Sequence, residues 1–147
     1  LRARRQVWLA AFVPDGRRGL LEEVSVAPAD IFNPEWIGKD PTSDPVLATH
    51  FLFHDGDLKT LTWALTTLRR FSPRTLSTEP IALAPGIPSA YVVAGQDRTL
   101  RPDWCGRQAA HRLHAELVEI QGGYCPHVSR AEELATILDD LAARSPG

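Results

Sequence analysis

Ala-Tyr-Val-Val-Ala-Gly at 90 to 95, entered through Pro88 and leaving into Gln96-Asp97-Arg98-Thr99-Leu100, is a short uninterrupted apolar run. Such a run suits a strand covered on both faces in a parallel sheet. Pro102 follows at the first-turn position of a helix, where a missing N–H costs nothing, and the helical pattern lasts to about Leu113. Ala115-Glu116-Leu117-Val118-Glu119-Ile120 alternates apolar and polar, which reads as a strand nearer a sheet edge. Beyond it, Ser129 with Glu132 three places on forms a capping-box signature, and Leu134, Ile137, Leu138 and Leu141 keep one apolar face. Upstream, Val-Trp-Leu-Ala-Ala-Phe at 7 to 12 is a second doubly covered run, closed by the turn residues Pro14-Asp15-Gly16. Strand, helix, strand, helix implies parallel strands joined by right-handed crossovers. The expected fold class is α/β, with three parallel strands at about 7–12, 90–95 and 115–120.

Between the first two strands the alternation breaks. Short helices with Pro-rich joints are expected at Leu20 to Val24, around Pro34 to Ile37, at Pro45 to His54, and from Leu58 to Arg70 with Asp57 as cap. In the last of these, Leu58, Leu61, Leu65 and Leu68 make a helical stripe. Residues 19–87 are therefore predicted to be a helical lid inserted into a core made of 1–18 and 88–147.

With 147 residues, 44% hydrophobic and 23% charged, the chain has the composition of one globular domain. A net charge of −2 and only short basic clusters, Arg2 to Arg5 and Arg17–Arg18, argue against a nucleic-acid partner. No apolar run spans a membrane and no signal series is visible, so a cytoplasmic protein is expected. Cys105 and Cys125 are read as reduced thiols. The sequence contains no Met and opens in the middle of a basic stretch at Leu1, so a missing N-terminal part is expected.

If the strands run the same way, the loops after their C-terminal ends share the edge where open α/β sheets place ligands. The loop at 95–100 brings Asp97 to that edge, and the loop Gln121-Gly122-Gly123-Tyr124-Cys125-Pro126-His127-Val128-Ser129 brings His127. A carboxylate and an imidazole are two parts of a nucleophile, base and orienting-acid set. By pattern alone, an Asp capping its own turn and a surface His are the simpler reading of the same residues.

The runs at 7–16, 92–98 (Val-Val-Ala-Gly-Gln-Asp-Arg) and 122–130 (Gly-Gly-Tyr-Cys-Pro-His-Val-Ser-Arg), in this order around a helical insertion, resemble the C-terminal half of an α/β-hydrolase. The closest branch is the esterases similar to plant methylesterases and hydroxynitrile lyases. The resemblance covers nearly the whole chain, with 30 positions from Asp97 to His127. It implies Asp97 as catalytic acid, His127 as base, a helical lid, and a Gly-x-Ser-x-Gly nucleophile elbow with oxyanion donors upstream of this chain. None of the Ser residues at 25, 43, 72, 77, 89, 129 and 145 carries the flanking glycines. The implied function is the C-terminal portion of a serine hydrolase acting on small-molecule carboxylic esters, inactive alone and without a cofactor. A non-catalytic remnant, or a ligand- or partner-binding module, is the alternative. The cyanogenic branch carries a Lys directly after its His, whereas Val128 stands there in this chain, which disfavours cyanohydrin cleavage.

Phe12, Trp36, Phe51, Trp63, Leu100 and Val128 are candidates to line a substrate pocket, though such residues serve equally well as plain core. His50 and His54, four apart, with Asp55 and Asp57, could face a metal, but Phe51 and Phe53 account for that helix and no metal is assigned. Cys125 with His127 is a weaker nucleophile pair, and Asp103 a rival acid expected to lie inside a helix. The first strand, without a neighbour, is expected to expose an edge that favours self-association.

Overall fold

A computed structural model describes residues 3–71, 79–84 and 86–144; Leu1, Arg2, Ser72, Ser77 and Ser145 lie outside the described residues. Three strands, β1 (Gln6–Leu9), β2 (Ser89–Ala94) and β3 (Glu116–Ile120), form one parallel sheet in the order β1-β2-β3. Trp8 stands opposite Tyr91, and Tyr91 opposite Leu117. Between β1 and β2 lie α1 (Leu20–Val26), α2 (Pro28–Ile31), α3 (Pro45–Phe51) and α4 (Leu58–Thr67). Helix α5 (Pro102–Leu113) crosses from β2 to β3, and α6 (Pro126–Ser129) and α7 (Ala131–Ala143) follow.

Strand β2 is the middle of the sheet and nearly all buried, because neighbours pair with it on both sides and helices cover both faces. Its period of two divides the core. Ala90, Val92 and Ala94 pack with Ile120 against Leu134, Ile137 and Leu141 of α7. Tyr91 and Val93 face the other way, towards Trp104, Cys105 and Ala109 of α5 and Ile31 of α2. A third cluster, Ala48, Phe51, Leu52, Phe53 and Ala64, is the inside of the helical insertion. Alternation in β3 matches the sheet edge it occupies.

Several expectations need correction. The first strand ends at Leu9, not at Phe12, because Ala10 takes a positive φ of 41° and turns the chain out of the ladder once its amide has bonded to Val92 O. Nor is β1 covered on both faces; it is an edge strand among the described residues, with Val7 38% exposed. Pro34 to Ile37 forms turns, while a helix not foreseen there, α2, opens at Pro28. Asp57 does cap α4, accepting from Thr60 N at 2.7 Å. Leu58 nevertheless points outward at the first helical position, and the inward stripe is Leu61, Ala64, Leu65 and Leu68. The capping box at Ser129 does not form: α7 has Arg130 at its N-cap position without a side-chain bond, and Ser129 Oγ is used elsewhere.

The insertion is tied to the core by a buried ion pair. Glu23 of α1 meets Arg112 of α5, whose Nη1 also donates to Val13 O, and the other Glu23 carboxylate oxygen accepts from Asp15 N at 3.0 Å. Removing one partner leaves a charge buried alone, which costs about 3–5 kcal/mol. Arg112→Met is expected to lower the unfolding free energy by about that amount in urea denaturation, and Glu23→Leu in the same chain to recover part of it.

Candidate active site

The ladder between β2 and β3 continues past the strands. Gly95 N donates to Ile120 O at 3.0 Å and Gln96 N to Gly122 O at 2.9 Å, so the two loops after the strands leave the sheet side by side. Asp97 stands in the first of them, at the C-terminal end of the central strand. Its Oδ1 accepts from Thr99 N at 2.6 Å and from Leu100 N at 3.0 Å. The carboxyl is largely buried, and this loss of hydration pushes its pKa from the ordinary 3.8 up to about 7, against the pull of the two amides. Asp15 provides the contrast. Burial works against the charge there too, but two amides, from Arg17 and Arg18, and the Arg18 guanidinium at 2.8 Å outweigh it, so its pKa falls to about 2. Burial without a cation is what separates the two carboxyls.

His127 does not join Asp97. It is exposed on α6, makes no hydrogen bond or ion pair among the described residues, and has its pKa lowered by partial burial alone. Pro126 explains the placement. It opens a one-turn helix in which Cys125 and Val128 pack against the insertion's core, which leaves the residue between Pro126 and Val128 on the outer side. Tyr124 of the same loop is half-buried and packs against all three hydrophobic clusters. Burial first, and then the nearby Asp97 charge, raise the Tyr124 phenol to about 12. Sequence reasoning passed over Tyr124. The available signal was its place four residues beyond Ile120, before the Pro that starts the helix, and so closer to the strand end than His127.

Cys125 is buried, and its thiol is pushed up to about 12 by burial and then by Asp97 and Asp55, so it stays protonated at neutral pH. Asp103 lies in the first turn of α5, paired with Arg107 at 3.0 Å. The six candidate pocket residues fall in different packing environments. Phe12 stacks on Trp104 at 5.2 Å and Leu100 is buried in the same cluster. Phe51, Trp36 and Val128 belong to the insertion's core, with Trp36 stacked on Phe32 at 4.6 Å, and Trp63 is 58% exposed on α4. An open cleft of about 530 Å³ instead lies between α3, α4 and the Asp97 loop, lined by Pro45, Val46, Thr49, His50, His54, Leu65 and Arg98.

His50 and His54 are engaged separately, His50 Nε2 with Glu35 at 3.5 Å and His54 Nε2 with Gln96 O at 3.0 Å. Among the described residues no group of three or more His, Cys, Asp or Glu side chains is gathered around a point that could hold a metal. Nor is any described helix long and apolar enough to cross a membrane.

No protein-family model matches the sequence, and no curated protein matches it significantly. Solved structures do. A histidine-to-alanine mutant of polyneuridine aldehyde esterase superposes with a TM-score of 0.72 at 16% identity, over 94% of this chain and 62% of that one. The same esterase without the mutation gives 0.69 at 17% identity, over 95% and 62%. A methylesterase from Arabidopsis gives 0.65 at 16% identity, over 95% and 59%. The chain thus has a partial α/β-hydrolase fold and spans about 62% of the length of the esterase structures it matches best in this group.

The raised Asp97 pKa sets a pH dependence. Folded Asp97 keeps a proton that the unfolded chain releases near 3.8, so stability falls as pH rises from about 4 to about 7 and levels off above. Asp97→Asn removes this titration. Its melting temperature relative to the parent is expected to rise across that window and stay constant beyond it; a difference independent of pH would show that the carboxyl is hydrated and charged.

Proposed function

We propose that the chain is the acid-bearing portion of an ester hydrolase built on the α/β-hydrolase fold, acting on small-molecule carboxylic esters, with Asp97 as acid and His127 as base. The observation that carries this reading is the position of Asp97. It stands where the central strand of a parallel sheet ends, the edge at which open α/β sheets present ligands. Its Oδ1 is pinned by two amides, and Oδ2 has no hydrogen-bond partner among the described residues. An acid held this way can orient an imidazole through Oδ2. In this reading α6 turns His127 inward, and the nucleophilic Ser and oxyanion donors come from outside these 147 residues.

The chemistry then follows acyl transfer. His127 takes the Ser proton as the Ser oxygen attacks the ester carbonyl, the alcohol leaves with that proton, and water attacks the acyl-enzyme by the same route in reverse to release the acid. Asp97 stabilises the imidazolium formed in each half. Such an imidazolium would in turn draw Asp97 towards its charged form, reversing the present preference for the neutral acid. The esterase names of the superposed structures support esters as the substrate class.

One observation favours a second reading, a non-catalytic module that binds a ligand or partner. The loop that carries His127 also carries Tyr124, a phenol that burial and then the Asp97 charge raise to about 12, so it stays protonated at neutral pH and cannot act as the base. Hydrolysis of p-nitrophenyl acetate and butyrate by the full-length protein separates the two. The hydrolase reading expects turnover that falls about 10³-fold or more in His127→Ala, with the circular dichroism spectrum unchanged. Activity retained in His127→Ala would refute that residue's role. An inert parent in which Tyr124→His creates turnover would establish the second reading.

A further inference from the structure

The insertion touches the rim of the sheet at one place more closely than packing requires. After α3, His54 places Nε2 at 3.0 Å from Gln96 O, on the loop that carries Asp97. The next residue, Asp55, reaches the other loop: its Oδ2 accepts from Ser129 Oγ at 2.8 Å and, at longer range, from Arg130 Nε at 3.4 Å. The Asp55 side chain is 7% exposed. Oδ1 has no hydrogen bond of normal geometry, although the Gly123 amide lies near enough to favour the charge. Burial works against ionisation, and these donors outweigh it, so the Asp55 pKa is lowered.

The backbone opposite is glycine at both positions, so the two side chains approach it closely. A Cβ on Gly122 would stand 2.3 Å from Asp55 Oδ2, and Gly122 also has φ +102°. A Cβ on Gly123 would stand 2.6 Å from His54 Nε2. Ser129 gives up the cap of α7 that its sequence position offers in order to bond Asp55. The two loops are also joined to each other, since Gln96 N donates to Gly122 O.

We propose that His54 and Asp55 form a clamp by which the helical insertion holds both rim loops, and that Asp55 is a positioning residue for Asp97. The clamp holds the Gly122-to-Arg130 loop against the Asp97 loop and so keeps the Asp97 carboxyl partly shielded from water. Opening it lets more water reach that carboxyl. The inference goes beyond the ester-hydrolase reading and needs no turnover, so its failure leaves that reading standing.

The test follows the Asp97 carboxyl carbon by NMR through a pH titration of the ¹³C-labelled full chain, together with amide exchange. Asp55→Ala is expected to lower the Asp97 midpoint by about 1 unit or more towards the ordinary carboxylate value, and to speed exchange at Gln96 and across 122–129 by about tenfold. Ser129→Ala removes one donor, is expected to act in the same direction by less, and carries the test if Asp55→Ala does not fold. Leu141→Ala weakens the packing of α7 near its far end, where Arg144 meets Glu116 at the start of β3, and is expected to leave the Asp97 midpoint in place. An Asp97 midpoint unmoved in the folded clamp variants, or moved as far by Leu141→Ala, overturns the proposal.

Discussion

Two backbone hydrogen bonds beyond the strands, from Gly95 N to Ile120 O and from Gln96 N to Gly122 O, decide what the rim of this sheet can be. A parallel pair ends with both chains travelling the same way, and here the ladder persists into the loops before they diverge. Whatever the two loops carry next is therefore brought together irrespective of side-chain chemistry: Asp97 from one, Tyr124 and Cys125 from the other. The central strand makes this robust. Buried on both faces and paired on both sides, β2 cannot slip by one residue without exchanging Val92 and Tyr91 between different cores.

Burial governs the chemistry of the group so placed. Two amides on a carboxylate oxygen ordinarily favour the charged form, and at Asp15 they do, with Arg18 beside them. At Asp97 the same two-amide arrangement is overridden by loss of water, because no guanidinium, ammonium or imidazolium among the described residues compensates. The carboxyl then holds its proton up to about pH 7, and its negative form, once made, raises the neighbouring Tyr124 and Cys125 further. Asp97, Tyr124 and Cys125 are in this state neutral groups. A cationic partner brought to Asp97 Oδ2 would favour its charged form.

The sheet was legible because its signals are strong and local. A continuous apolar run for β2, alternation for β3, Pro102 at a helix start and Asp57 at a cap each report one physical requirement. The place of Asp97 was legible for the same reason, since it follows directly from the end of β2. The facing of His127 was not. His127 and Tyr124 lie three residues apart, and which one turns inward depends on the short helix that Pro126 opens and on where Val128 finds apolar company in the insertion. The division of the apolar residues was equally hidden: Phe12 and Leu100 pack in one cluster and Phe51 in another, and nothing in their spacing told the clusters apart. Ser129 shows the limit most plainly, because its pattern fits a cap and its hydroxyl goes instead to Asp55, 74 positions away in the chain.

That long-range bond changes how the insertion should be regarded. A lid that merely rested on the core through apolar contacts could shift with little effect on the rim. Here a buried carboxylate and an imidazole approach the rim backbone so closely that any side chain at 122 or 123 would displace them, and Gly122 also adopts a left-handed conformation. A loop with two glycines has high conformational freedom when left alone. The contacts from His54 and Asp55 remove that freedom in the folded state. The order of the Gly122-to-Arg130 loop, and with it the partial shielding of Asp97, is thus imposed from the insertion rather than encoded within the loop. Substitutions in the insertion that leave every rim residue untouched can therefore alter the protonation of the carboxyl at the end of β2.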